Sequence, residues 1–178
     1  VSRPLGVRKN CQSLAVTAFF GTAFGYVEAC VVVYLRAIIG ILPDSSANVA
    51  DVVNLSSPIY QNAYLLGGLP RSLLAVEIVR EVATMAMLLS VAWLTTSATR
   101  DRCAIFLWVF AVWDIFYYVG LWVSVGWPSS LLAPDVLFLI PVPWFGQVWL
   151  PIVISALTLL AVALNRKNSG SGSLQRGD

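Results

Sequence analysis

Four stretches of the sequence, approximately 13–39, 71–96, 103–126 and 148–165, are each long and apolar enough to cross a lipid bilayer as a helix. A hydrocarbon core about 30 Å thick takes about 20 helical residues at about 1.5 Å rise each. This feature governs everything else, because a chain in lipid must satisfy its backbone polar groups internally and is left with helices or closed barrels. The predicted fold class is an all-α integral membrane protein: a four-transmembrane-helix bundle over residues 13–165, with tails at 1–12 and 166–178. Hydrophobic residues at 58% and charged residues at 11% agree with a bilayer as solvent, since soluble domains carry roughly 25% charged residues.

The basic residues set the expected orientation. Arg3, Arg8 and Lys9 precede the first stretch, Arg100 and Arg102 lie in the polar link 97–102, and Arg166, Lys167 and Arg176 follow the last stretch. With four spans these all fall on one side, and the other side keeps only Arg36 and Arg71. The positive-inside rule then predicts a multi-pass cell-membrane protein with both termini cytoplasmic. The first apolar run, from about 14 to 35, exceeds the roughly 7–15 residues of a cleaved signal core and reads as a retained helix.

The link 97–102 is short enough to make helices 2 and 3 an antiparallel hairpin. The first outer link, 41–70, contains Pro43, Pro58, Gly67, Gly68 and Pro70, and 46–55 fits either a short surface helix or an irregular loop. The second outer link, 127–147, is mostly apolar with Asp135 as its one charge. It is expected to dip into the membrane interface and pack over the outer helix ends. Pro134 with Asp135 predicts the start of a short helix there, ended by Pro141 and Pro143. Trp122, Trp127, Trp144 and Trp149 are expected to mark the outer interface, and Trp93 the inner one. The Gly- and Ser-rich segment 165–178 reads as a flexible tail.

Residue types absent from the chain exclude several chemistries. There is no histidine, and the two lysines, Lys9 and Lys167, lie in the tails. His-ligated haem or zinc, a Ser-His-Asp triad and a retinal Schiff base are therefore not available. Cys11, Cys30 and Cys103 have no CxxC spacing and read as free thiols. A net charge of +2 gives no ground for a nucleic-acid partner.

What remains is a set of ionisable residues inside the spans, where each costs about 2.5–3.5 kcal/mol at a helix centre and is usually functional when kept. They are Glu28 on helix 1, Glu77, Arg80 and Glu81 on helix 2, and Asp114 on helix 3, with Arg36 higher on helix 1. Counting residues puts them at mid-membrane or in the outer half, within roughly 10 Å of one another in depth. Glu77, Arg80, Glu81 and Thr84 share one helix face. On helix 1, Thr17, Gly21, Gly25 and Glu28 share another, and Gly21 with Gly25 makes a GxxxG spacing that permits close helix contact. Tyr117 and Tyr118 stand one turn above Asp114.

Four carboxylates against Arg80 and Arg36 leave two negative charges over. In a low-dielectric site these predict either protonated carboxyls or a bound hard cation such as Mg²⁺. The expected function is an enzyme or binder for a lipid-like or amphiphilic ligand reached from the extracytoplasmic side. Glu28, Glu81 and Asp114 would be its acid/base or cation-ligating groups, and Glu77, Arg80, Arg36, Tyr117 and Tyr118 its substrate contacts. A non-catalytic subunit of a larger membrane complex and a proton- or cation-coupled carrier are the alternatives. Besides the bilayer, a homo-oligomeric or membrane-complex partner suits the small size.

Overall fold

The structure is a computed structural model that describes residues 5–36 and 71–172, apart from the side chains of 5–11, 35, 36, 73 and 167–172. The link 41–70, with its candidate surface helix at 46–55, lies outside the described residues, as does the Arg36 side chain. The chain is mostly helical: α1 (Leu5–Arg36), α2 (Arg71–Thr95), α3 (Thr99–Val125), a hairpin of β1 (Pro134–Phe138) and β2 (Trp144–Gln147), and α4 (Trp149–Gly172). Three helices, over Gln12–Tyr34, Thr99–Val125 and Trp149–Arg166, are long and apolar enough to cross a membrane. The fourth, α2, carries Arg71, Glu77, Arg80 and Glu81 in its first half and is not among them.

At the centre of the bundle is α3, against which α1, α2 and α4 all pack. Contact with α1 is the most extensive, and small residues explain why. A Cβ on Gly25 would lie 2.6 Å from the Trp113 carbonyl oxygen and 2.9 Å from the Tyr117 nitrogen, so the two backbones touch there. Gly21 meets Val109 and Val112 in the same way, and from the other side Gly120 meets Ala29 and Tyr26. The contacts climb both helices together, so α1 and α3 run parallel. The GxxxG spacing thus faces α3, and the absence of side-chain bulk substitutes for the hydrophobic driving force that lipid does not provide between helices.

The three-residue connection Thr96–Ala98 folds α2 back against α3, the antiparallel pair expected from the short polar link. Arg102 closes that turn, donating from Nε to the Thr96 carbonyl at 2.8 Å while its guanidinium lies over the Trp93 ring, 3.8 Å from the centroid. At the far end α3 stops at Gly126, whose φ of 67° is left-handed and whose N–H reaches the Trp122 carbonyl at 2.9 Å.

The segment after α3 departs from the sequence expectation. Pro134 opens a β-strand rather than a helix, and β1 pairs antiparallel with β2 from Pro134↔Gln147 to Phe138↔Trp144. Pro at the first position of a strand leaves no ladder donor missing, and Val136 and Phe138 are of the β-branched and aromatic types that suit a pleated ribbon. The hairpin lies along α3 rather than across the helix ends: Asp135 is beside Tyr118, while the Phe138 ring stacks on Phe110 and Trp113 with centroids 6.0 and 6.5 Å away. Trp127, expected at the interface, is instead 2% exposed and packs in a core with Ala29, Val32, Tyr118, Leu121, Ala133 and Val148. Trp122, Trp144, Trp149 and Trp93 are exposed. At the chain's end α4 continues to Gly172, past the apolar stretch, because hydropathy measures the immersed length and not the helical length.

The α1–α3 seam predicts a graded response to added methyl groups. Gly25→Ala should lower the unfolding midpoint in mild detergent, costing about 1–3 kcal/mol as overpacking against rigid backbone. Gly146→Ala should cost much less, since its Cβ would meet only the movable end of Leu137, at 2.7 Å. Equal losses from the two would contradict the close α1–α3 contact.

Candidate functional site

The ionisable residues face inward, as the helix spacing requires, yet they divide into separate groups. The first joins α1 to α2. Arg80 Nη1 pairs with Glu28 Oε1, Arg80 Nε donates to Glu77 Oε2 at 2.9 Å, and the Thr84 hydroxyl donates to Glu28 Oε2 at 3.2 Å. One guanidinium is thereby fixed between two carboxylates, a planar fork that a lysine ammonium does not reproduce. The Glu28 and Glu77 side chains are 8% exposed, whereas that of Arg80 is 24% exposed.

The second group joins α2 to the hairpin. Glu81, one residue after Arg80, accepts the backbone N–H of Leu139 at 2.9 Å to Oε2 and 3.2 Å to Oε1, and that of Ile140 at 3.4 Å. No cation is needed to hold this carboxylate. Two peptide N–H groups that leave the β-ladder at the end of β1 hold it instead, and it in turn satisfies them.

The third and fourth groups lie on the other side of α3. Ser155 of α4 donates to Asp114 Oδ2 at 2.8 Å, and Tyr118 donates to Asp135 Oδ2 at 2.9 Å. Asp114 and Asp135 are both buried and within electrostatic reach of each other. Helical geometry separates them from Arg80. Trp113 and Tyr117, at i and i+4, face the α2 and hairpin side, while Asp114 and Tyr118 are turned about 100° away, toward α4 and the hairpin base.

Of the residues predicted to form a single site, then, Glu28, Glu77 and Arg80 meet directly, and Glu81 is their neighbour but is engaged elsewhere. Asp114 and Tyr118 belong to a different pocket of polarity. Tyr117 is within electrostatic reach of Arg80 and stacks on Trp113, with centroids 6.4 Å apart. Among the described residues no three acidic, Cys or His side chains converge to hold a metal ion.

Several participants escaped the sequence reading. Ser155 was visible as one of the few hydroxyl residues in the apolar α4, and nothing in one dimension matched it to Asp114. Asp135 read as a charge at a helix start and is instead a buried acceptor. The Leu139 and Ile140 amides carry no sequence signal, because every non-proline residue has one. Comparison of the chain with protein-family models, curated proteins and solved structures returns no match.

Removing one partner of the α1–α2 group should cost more than removing all of it. Arg80→Met leaves Glu28 and Glu77 facing each other without a cation and should destabilise by about 3 kcal/mol, the low end for a broken buried pair because Arg80 is partly exposed. Adding Glu28→Gln and Glu77→Gln to it should recover most of that loss in equilibrium unfolding. Additive losses across the three substitutions would show that the groups do not act as one unit.

Proposed function

We propose that this chain is a multi-pass membrane protein with four spans, both termini cytoplasmic, and a ligand site at Arg80 that opens to the extracytoplasmic side and binds the polar head of a lipid-like amphiphile. The observation that carries this reading is the state of Arg80. Two buried carboxylates engage its Nε and Nη1, and its side chain still keeps 24% of its exposure. A guanidinium held by its neighbours and still partly exposed is preorganised for a further oxygen acceptor and loses little freedom on binding.

The surroundings narrow the ligand. Glu28 and Glu77 outweigh Arg80 by one charge, and Glu81 adds another, so a neutral or zwitterionic head that both accepts and donates hydrogen bonds suits the site better than a bare anion. Trp113 contributes a buried indole N–H with no hydrogen-bond partner among the described residues, in an aromatic group with Phe110, Tyr117 and Phe138. An apolar wall with a spare donor fits an amphiphile arriving through the bilayer. Glu28 and Glu77 are then the acid/base candidates should binding lead to turnover.

The reading as a subunit of a larger complex draws on α4, whose apolar window is only 11% buried within the chain. The carrier reading draws on the unbalanced carboxylates and lacks an inward continuation, since α2 after Glu81 and α3 between Arg102 and Asp114 contain no acidic or basic residue that would extend a polar path to the cytoplasm.

Gentle purification followed by native and lipid mass spectrometry tests these readings together. The expected result is a stoichiometric amphiphile retained by the wild type and by Arg100→Lys, and reduced at least tenfold in folded Arg80→Lys. Equal retention in Arg80→Lys, or no bound amphiphile, would overturn the ligand proposal. A tightly held partner protein would favour the subunit reading instead.

A further inference from the structure

The geometry points to the β1–β2 hairpin as a re-entrant element whose tip, residues 139–143, lies in the hydrocarbon and presents Val142, Pro143 and Trp144 to lipid acyl chains, with Glu81 as the clamp that makes this possible. The first line of evidence is depth. Helix α3 has 27 residues and is therefore about 40 Å long, about 10 Å more than a bilayer core. Its midpoint is immersed wherever along the helix the core is placed. Phe138 stacks on Phe110 and Trp113, which flank that midpoint, so the end of β1 is carried well below the α3 C-terminal end at Val125. From Pro134 to Phe138 the strand descends about 13–16 Å at about 3.3 Å per residue, a reach that matches the offset between Tyr118 and Phe110 on α3 to within a turn.

The second line is the fate of the backbone donors. A turn in hydrocarbon must satisfy or lack its backbone N–H and C=O groups, and the N–H groups, with a single hydrogen each, are the harder to leave unpaired. The tip sequence is Leu139-Ile140-Pro141-Val142-Pro143. Leu139 and Ile140 donate to the Glu81 carboxylate, and Pro141 and Pro143 have no N–H to satisfy. A single tip donor, on Val142, is left. The third line is the surface itself: Val142 is 67% exposed, Trp144 53% and Phe145 49%, with Pro141 and Pro143 exposed beside them. At that depth, an apolar face with almost no donors matches acyl chains and not water.

The clamp also accounts for Glu81 beside Glu77 and Arg80, where no ion pair holds it among the described residues. Its charge is delocalised over peptide donors from a different element, and it fixes the tip against α2 one residue from the guanidinium. The hairpin therefore lies next to the Arg80 site. This inference concerns where the tip lies and holds whether or not an amphiphile binds at Arg80.

Spin labelling of the full chain tests it. With Cys11, Cys30 and Cys103 replaced by Ala, a nitroxide is placed at Val142, at Ser97 in the α2–α3 turn, or at Val123 on the exposed face of α3, and each variant is reconstituted in phosphatidylcholine liposomes. The expected result is that collisions at Val142 favour oxygen over a water-soluble nickel chelate, at least as strongly as at Val123 and opposite to Ser97. Nickel accessibility at Val142 equal to that at Ser97 would overturn the re-entrant placement. In the same background Glu81→Leu should mobilise the Val142 label and raise nickel collisions severalfold, while Glu81→Gln, which keeps one acceptor oxygen, should fall between the two. A Val142 spectrum unchanged in both Glu81 variants would overturn the clamp. If Glu81→Leu does not fold, the Glu81→Gln spectrum and the wild-type depth decide the matter.

Discussion

A peptide group that leaves a helix or a strand inside lipid has no water to turn to, and this constraint shapes the molecule more than any single charge does. Its clearest expression is the pair of amides at Leu139 and Ile140, which end a strand near the level of the α3 midpoint and are received by Glu81. An acceptor at that level lets the hairpin follow α3 inward, where Phe138 packs on Phe110 and Trp113. The carboxylate gains from the arrangement as well. Two N–H donors stabilise an anion that burial alone would disfavour.

The same logic runs through the remaining buried acids. Glu28 joins α1 to α2 through Arg80 and Thr84, Asp114 joins α3 to α4 through Ser155, and Asp135 joins the hairpin base to α3 through Tyr118. Each polar contact spans two elements, so each also fixes which helix lies beside which. In a medium as apolar as the side chains themselves, hydrophobic burial cannot select neighbours, and close glycine contacts with a few hydrogen bonds take over that role. The α1–α3 pair uses mainly the first device and α2, with its polar face, mainly the second.

Against this background Arg80 is the exception. Two carboxylates hold its guanidinium, yet its side chain keeps 24% of its exposure. A charged group kept within a bundle is normally shielded, and a fixed but still reachable one is what supports the proposed ligand site. The excess of negative charge around it is the ground for proposing a neutral or zwitterionic head and not an anion.

The sequence by itself determined the solvent, the helices and the inward-facing positions. Run length and hydropathy mark α1, α3 and α4, the spacing of Gly21 and Gly25 marks a contact face, and the i, i+3, i+4 pattern of Glu77, Arg80, Glu81 and Thr84 puts those side chains on one side of α2. All of these follow from local periodicity, which one dimension records. Tertiary structure alone decided the partners. Counting charges led to two unbalanced negatives calling for protons or a cation, and the fold answers part of that with hydrogen bonds from Ser155, Thr84 and two peptide N–H groups, none of which a charge count can see. It also turned the segment after Pro134 from an expected helix into a hairpin, because a strand's stability comes from its partner, here ten residues on, and not from its own first turn. Depth, too, was a tertiary outcome. The apolar link reads as a dip into the interface, and only its packing along α3 carries it to the level of the charged residues.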